Sequence, residues 1–206
     1  MISVSYLSSF EIGKDLKKLN ETDVDFIHVD VMDGKYVPAK TISFKEVKNI
    51  YKYTSKRLDV HLMVENPINY IKDYALLNAE YITIHIEDNN NILDCIKLIK
   101  SYGIKVGLSL KPNTLVSALT PYLEYIDLVL LMAVEPGKSG QTFMESTYPK
   151  INELKELIKN YKYIKISVDG GINKEVSDKL TDVDIKVSGS YIINSNNFQE
   201  KITSLR

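Results

Sequence analysis

Short runs rich in Val, Ile, Leu and Tyr alternate with longer amphipathic stretches from one end of this chain to the other, and that alternation restricts the folds open to it. The runs are Ile2–Tyr6, Asp25–Val31, Leu58–Met63, Tyr81–Ile86, Lys105–Ser109, Ile126–Met132, Tyr163–Val168 and Asp184–Val187, each of strand length and composition. Stretches between them carry apolar residues at helical spacing. Pro67–Leu77 has Ile68, Ile71 and Leu76; Ile92–Ile99 is a second; Tyr148–Asn160 has Ile151, Leu154, Leu157 and Ile158. Pro67 suits a first helical turn, where its missing N–H is not needed. Strand–helix units in series imply a parallel sheet. Eight of them predict an α/β (β/α)₈ barrel, the TIM barrel, and 206 residues lies at the short end of that fold's range. An open doubly wound sheet is the alternative, but no Gly-x-Gly-x-x-Gly follows the first strand. No Pro/Gly/Ser linker, low-complexity segment or charge block interrupts the pattern, so residues 1–206 read as one barrel domain.

Side chains of a strand alternate faces, so His28 and Asp30 point the same way, as do Asp59, His61 and Met63. In such barrels the site lies at the C-terminal strand ends. Ser5 ends the first strand there; His28, Asp30 and Met32 end the second, and His61 and Met63 the third. Met132 ends the sixth, Asp169 the seventh, and Gly189-Ser190 follows the eighth. His28, Asp30, His61 and Asp169 together offer two nitrogen donors and two carboxylates, a set suited to one divalent cation: Zn²⁺, Fe²⁺, Mn²⁺ or Co²⁺. The bland alternative is satisfied core histidines and loop-capping aspartates. Asp30 and Asp169 stand well apart around the ring, so they could serve as acid and base on two faces of one carbon. A metal on the adjacent carbonyl oxygen would stabilise the enediolate formed between the two proton transfers. Met32, Met63 and Met132 either fill core or wall a planar anionic intermediate.

Three glycine-bearing loops point to an anion. Gly170-Gly171 follows strand seven, Gly189-Ser190 strand eight, and Gly137-Lys138-Ser139-Gly140 strand six. Small residues there let backbone N–H groups approach a phosphate between loops seven and eight, as barrels of this kind often do. Any one glycine alone reads as a turn residue.

The bulk numbers exclude other classes. A formal net charge of -1 gives no electrostatic case for nucleic acid or an anionic membrane. No window reaches the roughly 20 apolar residues of a membrane span, and the N-terminus lacks a secretory pattern. The lone Cys95 cannot form an internal disulfide and reads as helix packing. A soluble cytoplasmic protein is expected.

With these residues in place, the chain resembles the ribulose-phosphate 3-epimerase family along nearly its whole length. The markers are Ser5-Tyr6-Leu7-Ser8, His28-Val29-Asp30-Val31-Met32-Asp33-Gly34 with Val37-Pro38, and Asp59-Val60-His61-Leu62-Met63-Val64. They continue in Lys105-Val106-Gly107-Leu108 with Lys111-Pro112, Glu135-Pro136-Gly137, Val168-Asp169-Gly170-Gly171-Ile172 and Val187-Ser188-Gly189-Ser190. The resemblance implies a barrel that interconverts ribulose 5-phosphate and xylulose 5-phosphate with one divalent metal, Zn²⁺ or Fe²⁺ foremost. It implies His28, Asp30, His61 and Asp169 as ligands, Asp30 and Asp169 as the acid/base pair, and the three methionines as a thioether wall. Ser5, His61, Gly137, Lys138, Ser139, Gly140, Asp169, Gly170, Gly171, Gly189 and Ser190 are the implied substrate contacts, and a homo-oligomer, dimer or hexamer, the implied assembly.

The chain departs from the family in three places. The strand-six loop, usually Pro-Gly-Phe-Gly-Gly-Gln, is Pro136-Gly137-Lys138-Ser139-Gly140-Gln141; Ala39 replaces an asparagine, and Asp182-Val183-Asp184 replaces Ala-Gly-Ala. Lys138 either adds a cation near the phosphate or another anionic group of the substrate, or is a solvated lysine at the loop tip. Three rivals follow: a 3-epimerase for another ketose phosphate such as allulose 6-phosphate or a polysaccharide-pathway sugar, a decarboxylase, and a barrel that binds sugar phosphate without turnover. The decarboxylase needs Asp-x-Lys-x-x-Asp, and here His61 and Val64 stand where the lysine and second aspartate would be.

Overall fold

All eight apolar runs become strands, and they close on themselves in sequence order. A computed structural model describes residues 1–41, 43–77, 79–87 and 90–206. Its strands are β1 (Ile2–Ser5), β2 (Phe26–Met32), β3 (Arg57–Met63), β4 (Ala79–His85), β5 (Lys105–Leu110), β6 (Leu128–Met132), β7 (Lys165–Asp169) and β8 (Ile185–Ser188). Every neighbouring pair is parallel, with β1 pairing β8 to complete the (β/α)₈ barrel. The expected strand bounds hold to within two residues.

Outside the ring run α1 (Ile12–Asn20), α2 (Phe44–Val47), α3 (Ile68–Ala75), α4 (Ile92–Ser101), α5 (Thr147–Leu157), α6 (Lys174–Lys179), α7 (Ser190–Ile193) and α8 (Phe198–Ser204). Pro67 stands at the head of α3 with helical dihedrals, φ −56° and ψ −23°, and its carbonyl accepts the Ile71 N–H at 3.2 Å, so it opens the first turn as expected. Between β5 and β6 the crossover over Val116–Tyr125 is 3₁₀. Pro121 within it has no N–H to give to an α-helical ladder. Cys95 is fully buried in α4, as its apolar neighbours imply. Among the described residues no helix is long and apolar enough to cross a membrane.

Period-two alternation sorts the strand residues into two cores. Val29, Val31, Val60, Leu62, Ile82, Ile84, Val106, Leu108, Val129 and Leu131 belong to the core shared with the helices. Phe26, Tyr81, Leu128, Leu130, Ile185 and Val187 form an inner plug, with the Phe26 and Tyr81 rings edge to face at 5.9 Å. Above that plug the interior turns polar. The register sets His61 beside Asp30, Met63 beside Met32, and Asp169 beside Met132, so side chains from separate strands meet at one level.

The opposite end is pinned by a repeated device. Asp25, Asp127 and Asp184 each stand one residue ahead of a strand, β2, β6 and β8. Their carboxylates accept the N–H of Ile2 at 2.7 Å, Val106 at 2.8 Å and Ile166 at 2.9 Å, each on the preceding odd-numbered strand. Asp184 also pairs with Lys165 Nζ at 2.8 Å, so the departure at 182–184 is part of this scaffold.

Candidate active site

Four side chains from three strands converge where the barrel interior becomes polar. His28 Nε2 lies 3.4 Å from Asp30 Oδ1 and 3.9 Å from Asp169 Oδ2, and His61 Nδ1 lies 3.5 Å from Asp30 Oδ1. One ligand atom from each of His28, Asp30, His61 and Asp169 falls within 4.8 Å of all the others. His28 Nε2 and His61 Nδ1 are buried and have no hydrogen-bond partner. Burying a polar nitrogen unpaired is costly, and histidines that form part of a structural core normally satisfy both ring atoms. Two orphaned imidazole nitrogens aimed at two carboxylates therefore fit a divalent cation, which would take their lone pairs.

The supporting contacts explain how each ring is held. His28 Nδ1 lies 2.8 Å from Asp59 Oδ2, the oxygen that also accepts the Ser3 hydroxyl at 2.8 Å. A carboxylate that accepts at Nδ1 leaves Nε2 as the free nitrogen, the arrangement metal-ligating histidines use. Ser5 Oγ donates to Asp30 Oδ2 at 2.7 Å, turning Oδ1 toward the two rings. His61 Nε2 faces His85 Nε2 at 2.9 Å, and His85 Nδ1 lies 3.1 Å from Glu87.

Electrostatics split the two aspartates. Burial would raise Asp30, but the charge of the adjacent His28 overcomes it and holds its carboxyl far below the usual range. For Asp169, burial raises the pKa; the His28 charge opposes this and the Asp30 charge adds to it, leaving the carboxyl at about 6. Burial lowers His28 also, yet the charges of Asp59 and Asp30 lift it well above the ordinary imidazole value, so a cation that takes Nε2 would displace a proton from it. Burial dominates at His85 and takes it down to about 4, so that ring is neutral near pH 7.

Above this floor opens a pocket walled by residues from many strand ends. Ser5, Asp30, Met32, Met63, Met132, Gly137, Lys138, Ser139, Gly140, Asp169, Gly170, Gly171, Gly189 and Ser190 all line it. The structure thus brings together the expected substrate contacts, apart from His61, which is fully buried among the four ligand-type residues beneath. Met32 and Met63 pack with Val37, and Met132 joins the inner plug. Loop 135–141 reaches across the mouth. A Cβ on Gly137, at φ +107, would meet Val37 at 2.9 Å, and one on Gly171, at φ +66, would meet the Phe143 backbone nitrogen at 2.3 Å. Both loops can pass this closely only without side chains. Gln141 Nε2 donates to the carbonyls of Glu135 and Lys138 at 2.7 and 2.8 Å, fixing the loop's shape, while Lys138 itself is exposed at the rim.

The sequence pattern places the third histidine, His85, only within a strand and marks no role for Glu87, Ser3 or Asp59. The signal was present in His85-x-Glu87, the same His-x-acid spacing at a strand end as His28-x-Asp30.

Comparisons with known proteins agree with this picture. The family model described as "Ribulose-phosphate 3 epimerase family" matches residues 1–193. The ribulose-phosphate 3-epimerase of Buchnera aphidicola subsp. Baizongia pistaciae is 42% identical, over 100% of this chain and 94% of the relative. That of Bacillus subtilis is 37% identical, over 95% of this chain and 92% of the relative. Among solved structures, 3-hexulose-6-phosphate synthase from Salmonella typhimurium superposes with a TM-score of 0.68 at 18% identity, covering 99% of this chain and 95% of that one. KGPDC from Streptococcus mutans gives 0.71 at 15% identity, covering 99% and 94%. At those identities the likeness is one of fold.

Proposed function

The chain belongs to the ribulose-phosphate 3-epimerase family and is an epimerase, and from that premise we propose that it interconverts D-ribulose 5-phosphate and D-xylulose 5-phosphate by two-base proton transfer at C3. One observation carries the mechanism: Asp30 and Asp169 come from β2 and β7, far around the ring from each other, and both line one pocket. A substrate carbon held between them meets one carboxylate on each face. One removes the C3 proton; the other delivers a proton to the opposite face and inverts the centre. The roles exchange for the reverse epimer.

His28, Asp30, His61 and Asp169 would hold the divalent cation, Zn²⁺ or Fe²⁺ foremost with Mn²⁺ and Co²⁺ compatible with the same donors. When bound, the cation supplies Lewis-acid stabilisation of the negative charge that develops beside C3. Ser5 donates to Asp30 Oδ2 and so leaves Oδ1 facing the two histidines. Met32, Met63 and Met132 present thioethers and methylenes that exclude water from the carbanionic centre. Gly170-Gly171, Gly189-Ser190 and the 137–140 loop receive the phosphate, with Lys138 adding a positive charge at its edge.

A panel of ketose phosphates tests the substrate. The highest kcat/KM on ribulose 5-phosphate supports the pentose assignment. A higher value on allulose 6-phosphate would replace it with a hexose assignment that keeps the same ligands and aspartates.

A further inference from the structure

We propose that Glu87 and His85 form a relay that fixes the tautomer of His61, holding its Nδ1 lone pair toward the cation site, so that Glu87 is a positioning residue acting two side chains away. The inference rests on the cation site assigned above and extends it to residues with no place in that assignment.

The direction of every hydrogen in the chain follows from one end. Glu87 Oε1 accepts the Lys111 backbone N–H at 2.7 Å and the Thr114 hydroxyl. Its Oε2 accepts the Tyr36 hydroxyl at 3.4 Å and lies 3.1 Å from His85 Nδ1. An ionised carboxylate only accepts, so His85 Nδ1 carries the hydrogen and the lone pair of the neutral ring sits on Nε2. That atom lies 2.9 Å from His61 Nε2, so the hydrogen between the two rings belongs to His61. The lone pair of His61 is then on Nδ1. This is the buried atom with no hydrogen-bond partner, 3.5 Å from Asp30 Oδ1 and within the four-residue ligand set.

The surroundings hold the two rings in line. His61 and His85 are both buried, with ring planes 29° apart, centroids 5.0 Å apart and Nε2 atoms end to end, as a hydrogen bond between ring nitrogens requires. The Tyr36 ring lies 5.0 Å from His85, tilted by 42°, and Lys111 Nζ sits 4.3 Å over that tyrosine. Asp59 does for His28 in one step what Glu87 does for His61 in two. Both histidines are thereby presented with one nitrogen tied to a carboxylate-terminated chain and the other free.

Glu87→Gln is the discriminating variant because it keeps the shape and reverses the polarity. The Lys111 N–H requires an oxygen at the Oε1 position, so the new NH₂ group faces His85 Nδ1. That ring must then accept at Nδ1 and donate from Nε2, which moves the hydrogen of His61 onto Nδ1. His85→Gln is the partner variant, since its amide can still donate toward Glu87 and accept from His61.

The test is Zn²⁺ affinity of the full chain by chelator competition, with the His61 ring nitrogens followed by long-range ¹H–¹⁵N correlation at pH 8 before and after Zn²⁺ is added. We expect wild type to show the His61 hydrogen on Nε2 even without metal. Glu87→Gln should bind Zn²⁺ about 10- to 100-fold more weakly, and His85→Gln should stay closer to wild type than Glu87→Gln does. A packing role predicts the reverse order, because Glu87→Gln is the smaller change in shape. Wild-type affinity in Glu87→Gln, or a wild-type His61 with its hydrogen on Nδ1, overturns the relay. If wild type takes up no Zn²⁺, the cation assignment itself fails, and the tautomer of the metal-free protein still decides the relay.

Discussion

His28 Nδ1 and Asp59 Oδ2 lie 2.8 Å apart, and that bond determines which nitrogen of the ring is left facing Asp30 and Asp169. Asp59 stands outside the four ligand-type residues yet sets the orientation of one of them. Replacing it by Asn removes the charge that favours a hydrogen on Nδ1. We expect Asp59→Asn to weaken Zn²⁺ binding by about 10- to 100-fold in chelator competition while circular dichroism stays that of the barrel. An unchanged affinity would show that packing alone orients His28.

Asp30 and Asp169 are the two groups assigned to carry the proton. We expect Asp30→Asn and Asp169→Asn each to lower kcat by about 10²- to 10⁴-fold, the usual contribution of a positioned acid or base. Both variants should melt cooperatively. Substantial turnover in either one would mean that a single carboxylate, or a solvent path, serves both faces.

Much of this site is legible in the sequence. Each strand is a short apolar run, so its end is visible in the sequence, and chemistry-bearing residues stand at those ends. His28, Asp30, His61 and Asp169 could therefore be read together. The His85–Glu87 connection was less accessible for a physical reason. It depends on the register of β3 against β4, which sets His61 beside Thr83 and brings His85 within reach, and on Lys111 and Thr114 from beyond β5. Alternation tells which face a side chain takes, but not which ring on the next strand it meets. Asp184 is a second example. In sequence it is a departure from a family pattern, and only the register of β7 and β8 shows it holding the Ile166 N–H.

Lys138 sits exposed at the rim of the pocket in a loop pinned by Gln141. An exposed cation near a phosphate contributes up to ~1 kcal/mol, which is about 5-fold in affinity. We expect Lys138→Phe to raise KM for ribulose 5-phosphate by about that factor, with kcat little altered and the difference shrinking as salt is added. Identical KM and kcat would place Lys138 in solvent with no part in binding.

Asp127 belongs to the opposite end of the barrel, where its carboxylate accepts the Val106 N–H at 2.8 Å. A half-buried N–H that loses a charged acceptor destabilises by about 1–3 kcal/mol. For a chain of this size that is about 2–12 °C in Tm. We expect Asp127→Ala to lower Tm by that amount and to leave kcat per folded molecule unchanged, as suits the face of the barrel that carries stability rather than chemistry. A loss of kcat without loss of Tm would break that division.

Turnover of ribulose 5-phosphate by the metal-replete protein in D₂O is the most direct test of the two-carboxylate mechanism. We predict that xylulose 5-phosphate forms with solvent deuterium at C3, because the proton delivered to one face is not the one removed from the other. Xylulose 5-phosphate that retains the original hydrogen at C3, or no product from a folded, metal-loaded protein, would contradict it.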